Sequence, residues 1–207
     1  MEIGKTMPTA AMTKFERPAP PVPPRKLWTR TECNTLLATG VWEAGNRLEL
    51  IEGELIDKMG KKRPHVETSA RIVRRLMKMF DETLVYQEAP ISVAAQDTPT
   101  SEPEPDVIVL KPAFPGYRPQ QPKPGELALV VEVSDTTLQF DLTVKAGLYA
   151  RAGIEEYWVL DLNGRRLIMH REPSQGGYQS VEAYGEDERA TPLGAPGHSL
   201  LVRDVLI

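Results

Sequence analysis

The sequence predicts a mixed α/β (α+β) fold: a central mixed β-sheet flanked by helices, with a short helix and a β-hairpin on its N-terminal side. Three observations predict it. Leu127–Val133 is apolar at nearly every position, as in a strand covered on both faces. The segments 65–80 and 138–152 carry apolar residues at helical spacing. Asn163-Gly164, set between two apolar runs, signals a tight hairpin.

At 207 residues, 26% charged and 41% hydrophobic, the chain has the length and composition of one domain plus a tail. The expected division is a Pro-rich, disordered or docked tail over 1–25 and a domain over 26–207 with its core at 47–172. Pro8, Pro18, Pro20, Pro21, Pro23 and Pro24 lie among polar residues without an apolar period, so this stretch cannot bury enough surface to fold alone. No run approaches the roughly 18 apolar residues of a spanning helix. The first residues, Met1 to Lys5, lack the apolar centre of a secretory signal. A cytoplasmic protein without membrane attachment is expected. Cys33 is the single cysteine, so neither an intramolecular disulfide nor a cysteine-built zinc cage can form.

Thr29 and Glu32 have capping-box spacing ahead of Leu36 and Leu37, and Gly40 is a stop, which predicts a helix over about 30–38. From Arg47 to Met59, two short apolar runs around Glu52-Gly53 predict a hairpin. In the next helix, Ile72, Leu76 and Phe80 form a stripe that Val73 and Met77 widen, and His65 and Ser69 extend it back to the helix start. Strands are expected over Leu84–Val93, Asp106–Leu110 and Leu127–Val133, then a helix over Leu138–Ala152 closed by Gly153. A strand over Glu155–Leu160 and its hairpin partner Arg166–His170 follow. Beyond Glu172 the sequence reads as loop, with a short closing element near Leu200–Leu206.

The net charge of -4 argues weakly against a nucleic-acid partner, but the distribution is uneven. Between Ile56 and Phe80 there are eight Lys or Arg residues against Asp57 and Glu67, a local net of +6 that leaves -10 for the rest. Arg71, Arg74, Arg75 and Lys78 occupy the outer face of the helix, with Lys61 and Lys62 in the loop before it. This is the pattern of a polyanion site and equally of a solvated helix face.

Asp106 begins a strand and Glu132 stands near the end of the buried one, where a carboxylate needs a partner or a metal. Ser134 shares the Glu132 face by two-residue alternation. Lys145 interrupts the apolar helical face made by Leu138, Leu142, Tyr149 and Ala152. Two bland readings compete, snorkelling to the surface and pairing with Asp141 one turn earlier. In the sharper reading Lys145 points at Glu132 and Asp106. Two acids and a lysine at sheet ends suit phosphodiester hydrolysis with Mg²⁺ or Mn²⁺ held by Asp106 and Glu132.

Leu48–Leu55, the His65 helix, Pro105-Asp106-Val107-Ile108-Val109, Val131-Glu132-Val133-Ser134, and Asp141–Lys145 running on to Tyr149–Trp158 together resemble the Uma-two family. That family belongs to the restriction endonucleases of the PD-(D/E)XK nuclease superfamily. The resemblance covers roughly 28–172 and implies a restriction-endonuclease-like core and a metal-dependent bacterial endonuclease acting on DNA. It implies Asp106 as the acid of the first motif and Glu132 as the acid of the second. The superfamily's usual lysine position is Ser134 here, and Lys145 would supply the missing cation from the next helix. Glu49 matches an early family acid, an additional metal ligand, and His65 matches a further family position. The basic residues Lys61, Lys62, Arg71, Arg74, Arg75 and Lys78 would grip the DNA backbone. The resemblance leaves a homodimer open, with Trp28 and Trp42 serving the interface or the core. Ser134 motivates the alternative, a catalytically inactive nucleic-acid-binding or interaction module with the same fold.

Overall fold

The computed structural model describes residues 24–40, 48–58, 62–114 and 119–207. Trp42, Lys61 and all but the last two residues of the expected 1–25 tail lie outside the described residues.

The N-terminal helix α1 (Arg30–Ala38) starts at a Thr29/Glu32 capping box with both reciprocal bonds present. Strands β1 (Leu48–Ile51) and β2 (Glu54–Asp57) form an antiparallel hairpin. Its two turn residues, Glu52 and Gly53, both have positive φ (50° and 82°), as the mirror-image turns of two-residue hairpins demand. The hairpin is docked by backbone bonds. Gly53 N–H donates to the Thr100 carbonyl at 2.7 Å, Trp28 N–H to Gly53 at 2.8 Å, and Glu102 N–H to Leu50 at 2.7 Å. A Cβ on Gly53 would lie 2.7 Å from Leu27 Cβ. Gly53→Ala combines that clash with a left-handed φ, so the expected result is a lower urea midpoint and a loss of about 1–3 kcal/mol.

Helix α2 (Arg63–Met79), with Pro64 in its first turn, buries Thr68, Ser69, Ile72, Val73 and Leu76. Six strands form the main sheet in the order β3-β4-β5-β6-β7-β8. These are β3 (Val85–Gln87), β4 (Val107–Leu110), β5 (Leu127–Ser134), β6 (Glu156–Asp161), β7 (Arg166–Ser174) and β8 (Gly177–Gly185). Only β5 and β6 run parallel; the other neighbours are antiparallel. All eight residues of β5 are buried, as a central strand requires. The β5–β6 crossover is helical over residues 138–152: α3 (Leu138–Phe140), a π-helical turn (Asp141–Lys145) and α4 (Ala146–Ala152), ended by Gly153 at φ 76°. Two short strands, β9 (Arg189–Ala190) and β10 (Leu200–Leu201), pair with each other near the C-terminus.

The structure corrects two elements. The expected strand over Leu84–Val93 survives only as β3, because Glu88 takes a positive φ of 48° and Pro90 follows two residues later. The segment after Glu172, expected to be loop, extends β7 to Ser174 and builds β8. Gln175-Gly176 is a two-residue turn between the paired Ser174 and Gly177. The β8 sequence is largely polar because the strand lies at the sheet edge and much of it is exposed.

Candidate active site

The register of the central strands brings the two acids together. Val107 pairs with Val131, so Asp106 and Glu132 stand side by side on one face of the sheet at the C-terminal end of β5. Asp106 is tied further by Val133 N–H, which donates to its Oδ2 at 2.8 Å. A pocket of about 190 Å³ opens above them. Glu49 lines it from β1, Ile56 and Asp57 from β2, and Lys62 and His65 from the start of α2. Phe140, Asp141 and Lys145 close it from the crossover, and Lys58 and Asp135 also line it.

Lys145 is the hub. Its side chain is 4% exposed, and Nζ stands 2.8 Å from Glu132 Oε1 and 2.8 Å from Glu49 Oε1. Tyr149, one helical turn on, donates its hydroxyl to the same Glu132 Oε1 at 3.1 Å. Glu49 Oε2 accepts Glu104 N–H at 3.2 Å, which fixes the second carboxylate. The hairpin that carries Glu49 is itself clamped, because Arg151 of α4 bonds both Glu52 and Asp97. Asp106 also has His65 Nε2 at 3.2 Å, and His65 Nδ1 is 3.3 Å from Ser69 Oγ. The π-helical turn places Asp141 at its first position and Lys145 at its last, so one distorted turn delivers both groups to the pocket. Thr137 donates to Asp141 Oδ2 at 2.7 Å.

Among the described residues, the lining carries six carboxylates (Glu49, Asp57, Asp106, Glu132, Asp135, Asp141) against three lysines. Burial pushes the Glu132 carboxyl up to about 8; Lys145 opposes the shift, while Asp106, Asp141 and Glu49 reinforce it. Burial likewise raises Asp141 against the pull of Lys145 and its Thr137 hydrogen bond. For Lys145, burial favours the neutral amine, but Glu132, Glu49 and Asp141 outweigh it and hold the pKa above the ordinary lysine value. The lysine is therefore an ammonium at neutral pH.

Asp106, Glu132, Lys145, Glu49 and His65 thus converge on one pocket, with Lys62 at its edge, 3.4 Å from Asp135. The carboxylates that Lys145 bonds are Glu132 and Glu49, where the sequence pointed to Glu132 and Asp106. Ser134 is fully buried behind the pocket, 3.4 Å from Thr137 Oγ1. The basic residues of α2 differ in their surroundings. Arg71 donates to the Leu206 carbonyl and Arg75 to Asp204 at 2.8 Å, because the C-terminal segment with buried Val202, Val205 and Leu206 packs beside that helix. Arg74 and Lys78 are exposed. Sequence reasoning missed Asp141, Tyr149 and Lys58 as site residues. The signal for Tyr149 was its place one turn after Lys145 on the same face; Lys58, which donates to the Glu104 carbonyl at 2.6 Å, left none.

Among the described residues, no group of three or more His, Cys, Asp or Glu forms a ready-made metal cage. No described helix is long and apolar enough to cross a membrane.

The fold resembles a crystal structure of "a putative nuclease belonging to DUF820" from Anabaena variabilis, with a TM-score of 0.63 and 16% identity over 81% of this chain and 94% of that one. No curated protein gives a significant match. The model of the Uma2 family, described as "Putative restriction endonuclease", matches residues 36–203. Family and fold together support a nuclease, and on a match that spans most of its length this chain belongs to the Uma2 family.

Proposed function

We propose that this protein is a divalent-metal-dependent endonuclease that hydrolyses phosphodiester bonds in DNA. The observation that carries the reading is the convergence of buried Glu132, Asp106 and Glu49 with a buried ammonium at one pocket. The donor set fits Mg²⁺ or Mn²⁺. Among the described lining residues carboxylates outnumber lysines, and burial leaves Glu132 ill-compensated by Lys145 alone. Mg²⁺ needs no protein cage of three, since it is commonly held by one or two carboxylates with waters and substrate phosphate oxygens completing its shell. Asp106 and Glu132 would hold the ion, which when bound polarises the phosphate and activates water.

The chain's own groups do the rest. Lys145 offers charge to the phosphate oxygens at a point shielded from solvent, where such charge is worth most. Glu49 anchors Lys145 through Oε1 and is itself held by Glu104 N–H at Oε2. Lys62, with a side chain 68% exposed, meets the DNA backbone at the pocket edge, and Arg74 and Lys78 extend that contact. Water adds to phosphorus, one P–O bond breaks, and the products carry a phosphate on one end and a hydroxyl on the other.

The test incubates the protein with linear, supercoiled and single-stranded DNA in Mg²⁺ or Mn²⁺. Cleavage that EDTA and Asp106→Ala both remove is the expected result. Retention of DNA with no cleavage in either metal would favour the inactive binding module, and cleavage that survives EDTA would overturn the metal role.

A further inference from the structure

Tyr149 is fully buried, and its ring meets Tyr157 edge-on, with centroids 5.0 Å apart. Phenylalanine would satisfy that packing. A buried hydroxyl costs free energy unless it is hydrogen-bonded, so its partner shows what the oxygen is for. The partner is Glu132 Oε1, the same atom that Lys145 bonds. Two donors from successive turns of one crossover therefore converge on a single carboxylate oxygen. A carboxylate held by two donors on one oxygen cannot rotate without breaking both bonds, and its other oxygen keeps its lone pairs for a ligand.

We propose that Tyr149 is a positioning residue for metal binding: its hydroxyl, together with Lys145, locks Glu132 through Oε1 and so reserves Oε2 for the divalent ion. This rests on the reading of Glu132 as a group that holds metal. Hydrogen-bond partners that orient a ligating side chain typically change metal affinity by about 10–100-fold. Tyr157 provides a matched control. It is equally buried and is the other half of that ring pair, but its hydroxyl donates to the Asp141 carbonyl at 3.2 Å.

The experiment titrates the full chain, Tyr149→Phe and Tyr157→Phe with Mn²⁺ alone and follows free Mn²⁺ by electron paramagnetic resonance. Thermal unfolding of the same samples shows that each is folded. The expected result is that Tyr149→Phe binds Mn²⁺ about 10-fold or more weakly than the unsubstituted protein, while Tyr157→Phe binds as the unsubstituted protein does. In cleavage assays Tyr149→Phe should then need correspondingly more Mn²⁺ for its half-maximal rate and approach the unsubstituted maximal rate at saturation. Equal affinity in Tyr149→Phe and the unsubstituted protein overturns the inference and leaves the metal site standing. Equal weakening in both variants overturns it in favour of generic packing. No Mn²⁺ binding by the unsubstituted protein overturns the inference and the metal reading together.

Discussion

Lys145→Met is expected to destabilise the protein by about 3–5 kcal/mol and, under the proposed function, to bring DNA cleavage down to background. The stability loss follows from what the substitution leaves behind. Glu49 and Glu132 are each about 5% exposed or less, and the ammonium 2.8 Å from both is the cation that answers them. Removing one partner of a buried ion pair costs about 3–5 kcal/mol, because the remaining charge cannot regain its hydration. Methionine nearly matches the lysine stem in volume, so the loss reports charge rather than a cavity. Urea unfolding at pH 7 measures it. Glu49→Gln placed on top of Lys145→Met should restore part of the loss, since it removes the other buried carboxylate that the ammonium answered. A loss below about 1 kcal/mol at pH 7, the range of an exposed pair, would show that the lysine reaches solvent and that the buried network does not exist. Activity is measured at a temperature where the variant is folded, so that lost chemistry is not confused with lost protein.

The elements legible in the sequence were those whose signal is local. The capping box at Thr29, the period-3.6 stripe through Ile72 and Leu76, the unbroken apolar run of β5 and the Gly153 stop each encode their own geometry, and the structure has each in place. β8 was illegible because an edge strand has one neighbour and much solvent, so its side chains need no apolar alternation. The π-helical turn was illegible for another reason. Its residues read as ordinary helix, and the groups that Lys145 meets, Glu132 on β5 and Glu49 on β1, are ones that sequence spacing cannot see.

The candidate site divides in the same way. A lysine on an apolar helical face announces a buried partner, but not which one; the Glu49 hairpin supplied the second, and only the docking of that hairpin could reveal it. The basic face of α2 was correctly seen as amphipathic, yet the groups that occupy Arg71 and Arg75 come from Leu206 and Asp204, far along the chain. Composition counts charges, whereas tertiary contacts decide which of them remain available to a polyanion. That difference moves the proposed DNA path from the whole face of α2 to Lys62, at the edge of the pocket, with Arg74 and Lys78 beyond it.

Stability should carry the signature of the raised Glu132 carboxyl. In the folded protein Glu132 keeps its proton up to about 8, while in the unfolded chain it releases it near the ordinary value of 4.5. Between those values the native state binds more protons than the unfolded state, so this group's contribution to stability falls as pH rises. The slope for one proton is at most about 1.4 kcal/mol per pH unit, and it vanishes above pH 8 because both states are then ionised. Glu132→Gln has no such proton to lose. Compared with the unsubstituted protein by urea unfolding at pH 5, 6, 7 and 8, it should gain relative stability at each step. Under the proposed metal role, Mn²⁺ must displace the same proton, so the stabilisation that Mn²⁺ confers on the unsubstituted protein should grow from pH 6 to pH 8. A difference between the two proteins that stays constant over this range would mean that Glu132 is already ionised at pH 5, held there by Lys145. The carboxylate would then offer a metal ion no proton to displace, and Glu132 would contribute nothing to any growth of Mn²⁺ stabilisation with pH.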